Sequence, residues 1–211
     1  MPARHAPARR TVRAYVGLGA NVGDAPATLA AAIGALGALP GARLHAVSRL
    51  YLTRPIGVED QPAFHNAVVA LQVAAGPDAA SGALALLAAL KGLERAFGRR
   101  ARRRWGPREL DLDLLVFGRH EFHVARSATA RSLDPARSGV QWLDVPHPAA
   151  RERLFVLAPL ADLAPGLRPP GWRTTVERMR QRREAVEGAD AVRPVALWDA
   201  RVRGWRAQRA T

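Results

Sequence analysis

An α+β sandwich is what the sequence predicts, and three observations predict it. Period-two alternation marks strands at 12–18 and 110–117. Apolar residues at helical spacing mark helices at 26–39 and 79–97. Turn residues separate these segments, so that strands and helices follow one another in a fixed order.

The first strand, 12–18, places Val12, Ala14, Val16 and Leu18 on one face. The Gly-rich turn GLGANVGD (17–24) closes on Asp24, a suitable N-cap. The helix over 26–39 carries Leu29, Ile33 and Leu36 in one stripe, and Pro40-Gly41 stops it. A second strand is expected over 43–51, then a loop, TRPIGVEDQP (53–62), then a third strand over 64–73. Gly76-Pro77-Asp78 supplies a turn and a cap for the helix over 79–97, with Leu86, Leu90, Leu93 and Phe97 facing one way. The fourth strand, LDLDLLVF (110–117), points Leu110, Leu112, Leu114 and Val116 at the core. The order βαββαβ is the ferredoxin-like split βαβ arrangement, an antiparallel-rich sheet with helices on one face.

The flanks read differently. Residues 1–11 are basic and rich in Pro and Ala, a disordered arm. The main domain is expected over 12–172, with an irregular loop insertion at 119–141. Residues 173–211 are Arg-rich; the apolar stripe of their one candidate helix is thin. This extension is expected to pack weakly, so that its deletion would hardly change the melting temperature.

A chain of 211 residues, 48% hydrophobic and 24% charged, is long enough to bury a core without staples. It has no cysteine, which excludes disulfides, thiolate zinc sites and Cys nucleophiles. No apolar run approaches the roughly 20 residues that span a bilayer. A cytoplasmic monomer without membrane or nucleic-acid partners is the expectation.

The charge of +14 argues less for nucleic acid than it first suggests. Of 32 basic residues, 31 are arginine and one is Lys91; alanine numbers 43. That bias fits GC-rich coding. The excess sits in three places: residues 1–13, with four Arg; 99–108, with six Arg and no acid; and 173–211, with ten Arg and five acids.

The strongest local signal is RWGPRELDLDLLVFG, 104–118. On a strand, Asp111 and Asp113 point the same way, with α-carbons roughly 6.5–7 Å apart. Two carboxylates so close repel unless a cation sits between them. Oxygen ligands alone favour Mg²⁺ or Mn²⁺. A guanidinium cluster just upstream, with Arg108 pinned by Trp105-Gly106-Pro107, fits polyphosphate chemistry. A solvated acidic strand face beside a coding-biased loop is the plainer alternative.

With VGLGANVGD (16–24), SRLYLTRPIG (48–57), DQPAFHNAV (60–68), LERAFGR (93–99) and VPHPAARERLFVLAPLADLAP (145–165), the chain resembles the 6-hydroxymethyl-7,8-dihydropterin pyrophosphokinases of folate biosynthesis. The resemblance runs over about 14–166. It implies transfer of the pyrophosphoryl group of ATP to the pterin hydroxymethyl oxygen, with AMP released. It implies that Asp111 and Asp113 hold two Mg²⁺, and that Arg99 and Arg108 contact the transferring phosphates. Thr53, Ile56, Asn66 and the rings of Phe64 and Phe155 would hold the pterin, and Trp105 would sit in a loop closing over both substrates. Lys91, Glu94, Arg99, His147 and Arg153 would face ATP, with Gly19 and Asn21 in the first turn. Lys91 stands where the family often has glutamine, and 119–141 is longer than the family's connection. Two other readings compete: a non-catalytic pterin- or nucleotide-binding paralogue, and a basic nucleic-acid-binding module. The second would need aromatics on the sheet face, where this chain has Asp111 and Asp113.

Overall fold

The computed structural model describes residues 10–55, 60–99, 106–131 and 139–207. Ile56, Trp105, most of the arginine loop (100–105) and most of the N-terminal arm lie outside the described residues.

The expected core order is present. Strand β1 (Thr11–Ala20) leads to helix α1 (Ala25–Gly37), capped by the Asp24 carboxylate on the Ala27 N–H. Gly41 adopts a left-handed φ of 73°, which turns the chain into β2 (Arg43–Val47). Strands β3 (Leu50–Thr53) and β4 (Phe64–Ala74) follow. Helix α2 (Ala79–Ala96) is capped by Asp78 on the Ser81 N–H and leads to β5 (Asp111–Phe117).

The second strand is in fact two. At Ser48 the hydroxyl, not a carbonyl, accepts the Val68 N–H, while the Ser48 N–H donates to Val68 O. That side chain interrupts the ladder. β2 and β3 both lie antiparallel against β4, β4 lies against β1, and β1 against β5. This is the strand order of the ferredoxin-like arrangement.

One face of the sheet carries Ala14, Val16, Leu18, Val69, Leu71, Leu112 and Leu114, buried under Leu29, Ile33 and Leu36 of α1 and Leu86, Leu87 and Leu90 of α2. Val116 is a correction. The β1–β5 register slips between Tyr15 and Val16, so Leu115 is an extra residue. Past this bulge the alternation resets, and Leu115 and Val116 face the opposite side.

That opposite side is covered as well, which revises the expectation of helices on one face. Helix α3 (Leu154–Leu163) sets Leu157, Leu160 and Ala161 against Val68, Leu115 and Val116. Asp162 of α3 ties it down. Its carboxylate accepts from the Arg49 backbone N–H, the Arg49 guanidinium and the Tyr51 hydroxyl.

Two segments differ from expectation. In 119–141, strand β6 (Phe122–Ala125) pairs with β7 (Trp142–Val145), so part of the insertion is one arm of a hairpin. The extension beyond 173 packs, contrary to the sequence reading. Helix α4 (Val176–Glu187) buries Val176 completely, β8 (Val192–Asp199) pairs with β3, and β9 (Gly204–Ala207) pairs with β8. Trp198 and Trp205 meet edge to face with centroids 5.0 Å apart, and the Trp205 indole N–H donates to Pro26 O. Backbone ladder bonds and two tryptophans hold this segment, and neither registers in an apolar stripe.

His65 of β4 has a buried Nδ1 without a hydrogen-bond partner among the described residues, and burial pushes its pKa below the ordinary imidazole value. The native state therefore binds fewer protons there than the unfolded chain. Its contribution to stability is intact above about pH 6.5 and is lost as pH falls below that value. Proton NMR should show His65 titrating below its own midpoint in the urea-unfolded chain; a folded midpoint equal to or above the unfolded one would contradict the burial argument.

Candidate active site

A cavity of about 490 Å³ opens where β1, β4 and β5 end, between β3, the β6–β7 hairpin and the start of α3. Its floor is bare backbone. A Cβ on Gly19 would lie 3.1 Å from Asn66 Oδ1, tighter than most such contacts, whereas one on Gly17 would meet Leu115 at an ordinary 3.5 Å.

One end is charged. Asp111 and Asp113 project into the cavity from alternate positions of β5, as the strand period requires. Beneath them Glu94 of α2 is almost fully buried. Its Oε1 accepts from Lys91 Nζ at 2.6 Å and from the Leu112 N–H at 2.7 Å, and pairs with Arg99 at 2.6 Å. Lys91 Nζ also donates to Leu112 O. Arg99 reaches Asp111 in a short contact, Arg108 stands 4.0 Å from the same carboxylate, and Lys91 stands 4.0 Å from Asp113. Three cations thus interleave with three carboxylates. Crowding alone would push the Asp111 carboxyl up, but Arg99, Lys91 and Arg108 outweigh it and hold it far below its ordinary value. Burial pushes the Glu94 carboxyl up, against the opposing pull of Lys91 and Arg99.

The other end is aromatic, with the amide of Asn66, and has Arg54 and Arg153 at its edge. The ladder sets Thr53 opposite Phe64 and Tyr51 opposite Asn66. The Asn66 amide donates to Thr53 Oγ1 at 2.8 Å, and both residues are buried. Phe155 of α3 lines the same cavity, with the Arg153 guanidinium 5.7 Å from its ring centre. His147 is anchored by its N–H on Leu115 O, and burial lowers its pKa.

Asn21 ties the rim together. Its Nδ2 donates to Gln61 Oε1 and Pro62 O, its Oδ1 accepts the Arg108 N–H, and its own N–H donates to Arg108 O.

The donor set suits Mg²⁺. Among the described residues no group of three or more His, Cys, Asp or Glu forms a complete metal cage. Two carboxylates on one face, open to substrate oxygens and water, are what this hard ion ordinarily takes from a protein.

The family described as "7,8-dihydro-6-hydroxymethylpterin-pyrophosphokinase (HPPK)" matches residues 15–165. The chain belongs to the HPPK family. It is 43% identical over 161 residues to the 2-amino-4-hydroxy-6-hydroxymethyldihydropteridine pyrophosphokinase of Pseudomonas aeruginosa, covering 76% of this chain and 86% of that one. It is 41% identical over 155 residues to the protein of that name from Methylorubrum extorquens, covering 74% and 84%. In fold it is similar to wild-type Plasmodium falciparum HPPK-DHPS crystallised with pteroate, at a TM-score of 0.64 and 14% identity. That likeness takes in 96% of this chain and 48% of the other, so this chain spans about half the length of that longer protein.

In this HPPK chain the cavity gathers every described residue that sequence reasoning selected except Glu94, which lies beneath it, and Asn21, which ties its rim. Lys91 and Glu94 spend their polar atoms on each other, on Arg99 and on the β5 backbone. Sequence reasoning missed Arg126 and Trp142, which line the hairpin wall. Trp142 is 45% exposed and stacks on His123 at 4.2 Å. Its signal was available, an aromatic three residues before the V-P-H-P turn in a segment of alternating character.

Lys91→Met should destabilise the protein by roughly 3 kcal/mol, because it strips one cation from a carboxylate that stays buried. Urea unfolding measures this. A loss below about 1 kcal/mol would mean that Arg99 alone neutralises Glu94.

Proposed function

We propose that this protein transfers a pyrophosphoryl group from ATP to the hydroxymethyl oxygen of 6-hydroxymethyl-7,8-dihydropterin, a step of folate biosynthesis. The observation that carries the reading is one cavity with two chemically distinct ends: the charged network around Asp111 and Asp113, and the Phe64–Asn66–Thr53–Phe155 end.

Each end suits one substrate. An amide offers a donor and an acceptor together, which the edge of a pterin requires, so Asn66 is assigned to that edge. Phe64 and Phe155 are assigned to the ring faces. By resemblance Ile56, outside the described residues, is assigned to the pterin as well. At the charged end Arg99 and Arg108 are assigned to the phosphates, where forked guanidinium donors match phosphate oxygens. His147 and Arg153 line the same cavity and are assigned to ATP. Lys91 and Glu94 act on ATP only through Arg99 and β5.

In the reaction a bond forms between the hydroxymethyl oxygen and the β-phosphorus. The bond from that phosphorus to the oxygen bridging to the α-phosphate breaks, AMP leaves with that oxygen, and the hydroxyl proton passes to solvent. Asp111 and Asp113 would hold two Mg²⁺ ions, which when bound neutralise the triphosphate and favour ionisation of the attacking hydroxyl. Arg99 and Arg108 stabilise charge as it moves toward the α-phosphate. Trp105 is assigned to a cover that excludes water. The reading includes a cytoplasmic monomer without nucleic-acid partners, its catalytic unit at 12–172 and 173–211 as a brace.

The test is incubation with Mg²⁺, ATP and 6-hydroxymethyl-7,8-dihydropterin, with the nucleotide product identified. AMP formed only when the pterin is present is expected. ADP, or AMP made without pterin, would overturn the reading.

A further inference from the structure

The arginines of the C-terminal extension divide into two sets. On α4, Arg180 pairs with Glu177 and Glu184, and Arg183 with Glu187, all within 3 Å. Arg178 and Arg182 share the helix face one turn apart, and among the described residues no acid is paired with either. Like charges at this spacing oppose each other. Arg173, just before the helix, and Arg151, from the turn ahead of α3, converge on the same place.

Together these four guanidiniums surround a second cavity of about 350 Å³. Its apolar surface comes from Trp172 and Met179, both half-buried and packed against the cluster that holds Leu157, Leu160 and Val176. The nearby acids are few. Glu152 approaches Arg151 at 3.7 Å, and Glu121 lies beside Gly171 at the rim. The first cavity is lined by none of these residues.

A helix that satisfies its other arginines internally leaves two of them lining a hollow that Trp172 and Met179 also line. We infer that this hollow is a second anion site, which takes a linear polyphosphate chain between Arg151, Arg173, Arg178 and Arg182. Guanidinium forks bind phosphate oxygens in pairs, and the exposed arginines lose little hydration in doing so. The spread of four cations around the hollow suits three linked phosphates better than one. The same chemistry comes from inorganic tripolyphosphate or from the tail of a nucleoside triphosphate. With the nucleotide, Trp172 would also offer a ring to the base.

The test uses the full chain carrying 5-fluorotryptophan, with the Trp172 resonance assigned by Trp172→Phe. Inorganic tripolyphosphate and ATP are titrated separately, without Mg²⁺, at fixed ionic strength. Saturable movement of the Trp172 resonance is expected, weakened at least tenfold in the double variant Arg178→Glu, Arg182→Glu. The double variant Arg43→Glu, Arg131→Glu makes the same change in net charge at exposed positions outside the hollow and should bind like the parent. Tighter binding of ATP than of tripolyphosphate would identify the nucleotide as the source, and equal binding the inorganic chain. A Trp172 resonance unmoved by either ligand would overturn the inference. So would equal loss in the two double variants, which marks diffuse electrostatics only. The result stands apart from the pyrophosphoryl-transfer assay, which reads the other cavity.

Discussion

Asp113→Asn is expected to lower turnover at least ~10²-fold, the scale of removing one preorganised electrostatic group, while leaving stability within about 0.5 kcal/mol. Asp113 is 39% exposed on its side chain, and the cation paired with it among the described residues, Lys91, stands 4.0 Å away and is already engaged by Glu94. Its charge therefore faces the cavity and does little for the fold. Asp111→Asn should lose as much turnover and also lose roughly 1–3 kcal/mol of stability, because Arg99 would keep only one of its two carboxylate partners. The Arg99 side chain is 8% exposed, so that loss is not made good by water. The sign with pH is fixed. A carboxyl held down in the folded state contributes stability above about pH 4, and the contribution fades as pH drops through the lower, folded value. The stability gap between parent and Asp111→Asn should close on acidification. Paired steady-state assays and urea titrations decide the matter. Near-normal turnover in both variants would remove these residues from the chemistry, and equal stability losses would refute the division of labour.

Removing 188–211 is expected to lower stability by at least about 3 kcal/mol, from exposing the residues that β8 and β9 bury. For a chain of this length that corresponds to a fall in Tm of roughly 6–12 °C. Val192 and Ala196 are buried, and Val195, Trp198 and Trp205 pack against the main core or near it. The deletion also strips the ladder from β3, including the Thr53–Val192 pair. Val192 belongs to the cluster against which Phe155 rests, so both Thr53 and Phe155 lose support. Turnover should fall with stability, chiefly through weaker pterin binding. Calorimetry showing an unchanged Tm would return this segment to the status of a loose appendage.

The sequence carried the fold where side-chain pattern alone decides it. Alternation in 12–18, the stripes of α1 and α2, and the caps at Asp24 and Asp78 are local facts, and they hold. It failed where one residue resets a pattern. Leu115 is an ordinary strand residue to any periodic reading, and only the register against Tyr15 and Val16 exposes it as a bulge. Ser48 breaks a strand through a hydroxyl bond to Val68, 20 positions away. The packing of β8 depends on main-chain pairing with β3, which residue types do not encode. The site was more legible than the fold's periphery. Asp111 and Asp113 reach the cavity by strand period alone, but the burial of Lys91 on Glu94 depends on how α2 rests on β5.

Asn21 joins two stretches of chain that are 40 residues and more from each other. One amide group spans Gln61 and Pro62 on its nitrogen side and the Arg108 backbone on its oxygen side. An amide cannot turn over here without presenting oxygen to oxygen and nitrogen to nitrogen. The two rims are therefore latched by a single part with only one way round, and neither swings outward on its own. The Arg108 amide hydrogen lies inside that latch. Its exchange with solvent reports the parting of Asn21 from the Arg108 rim.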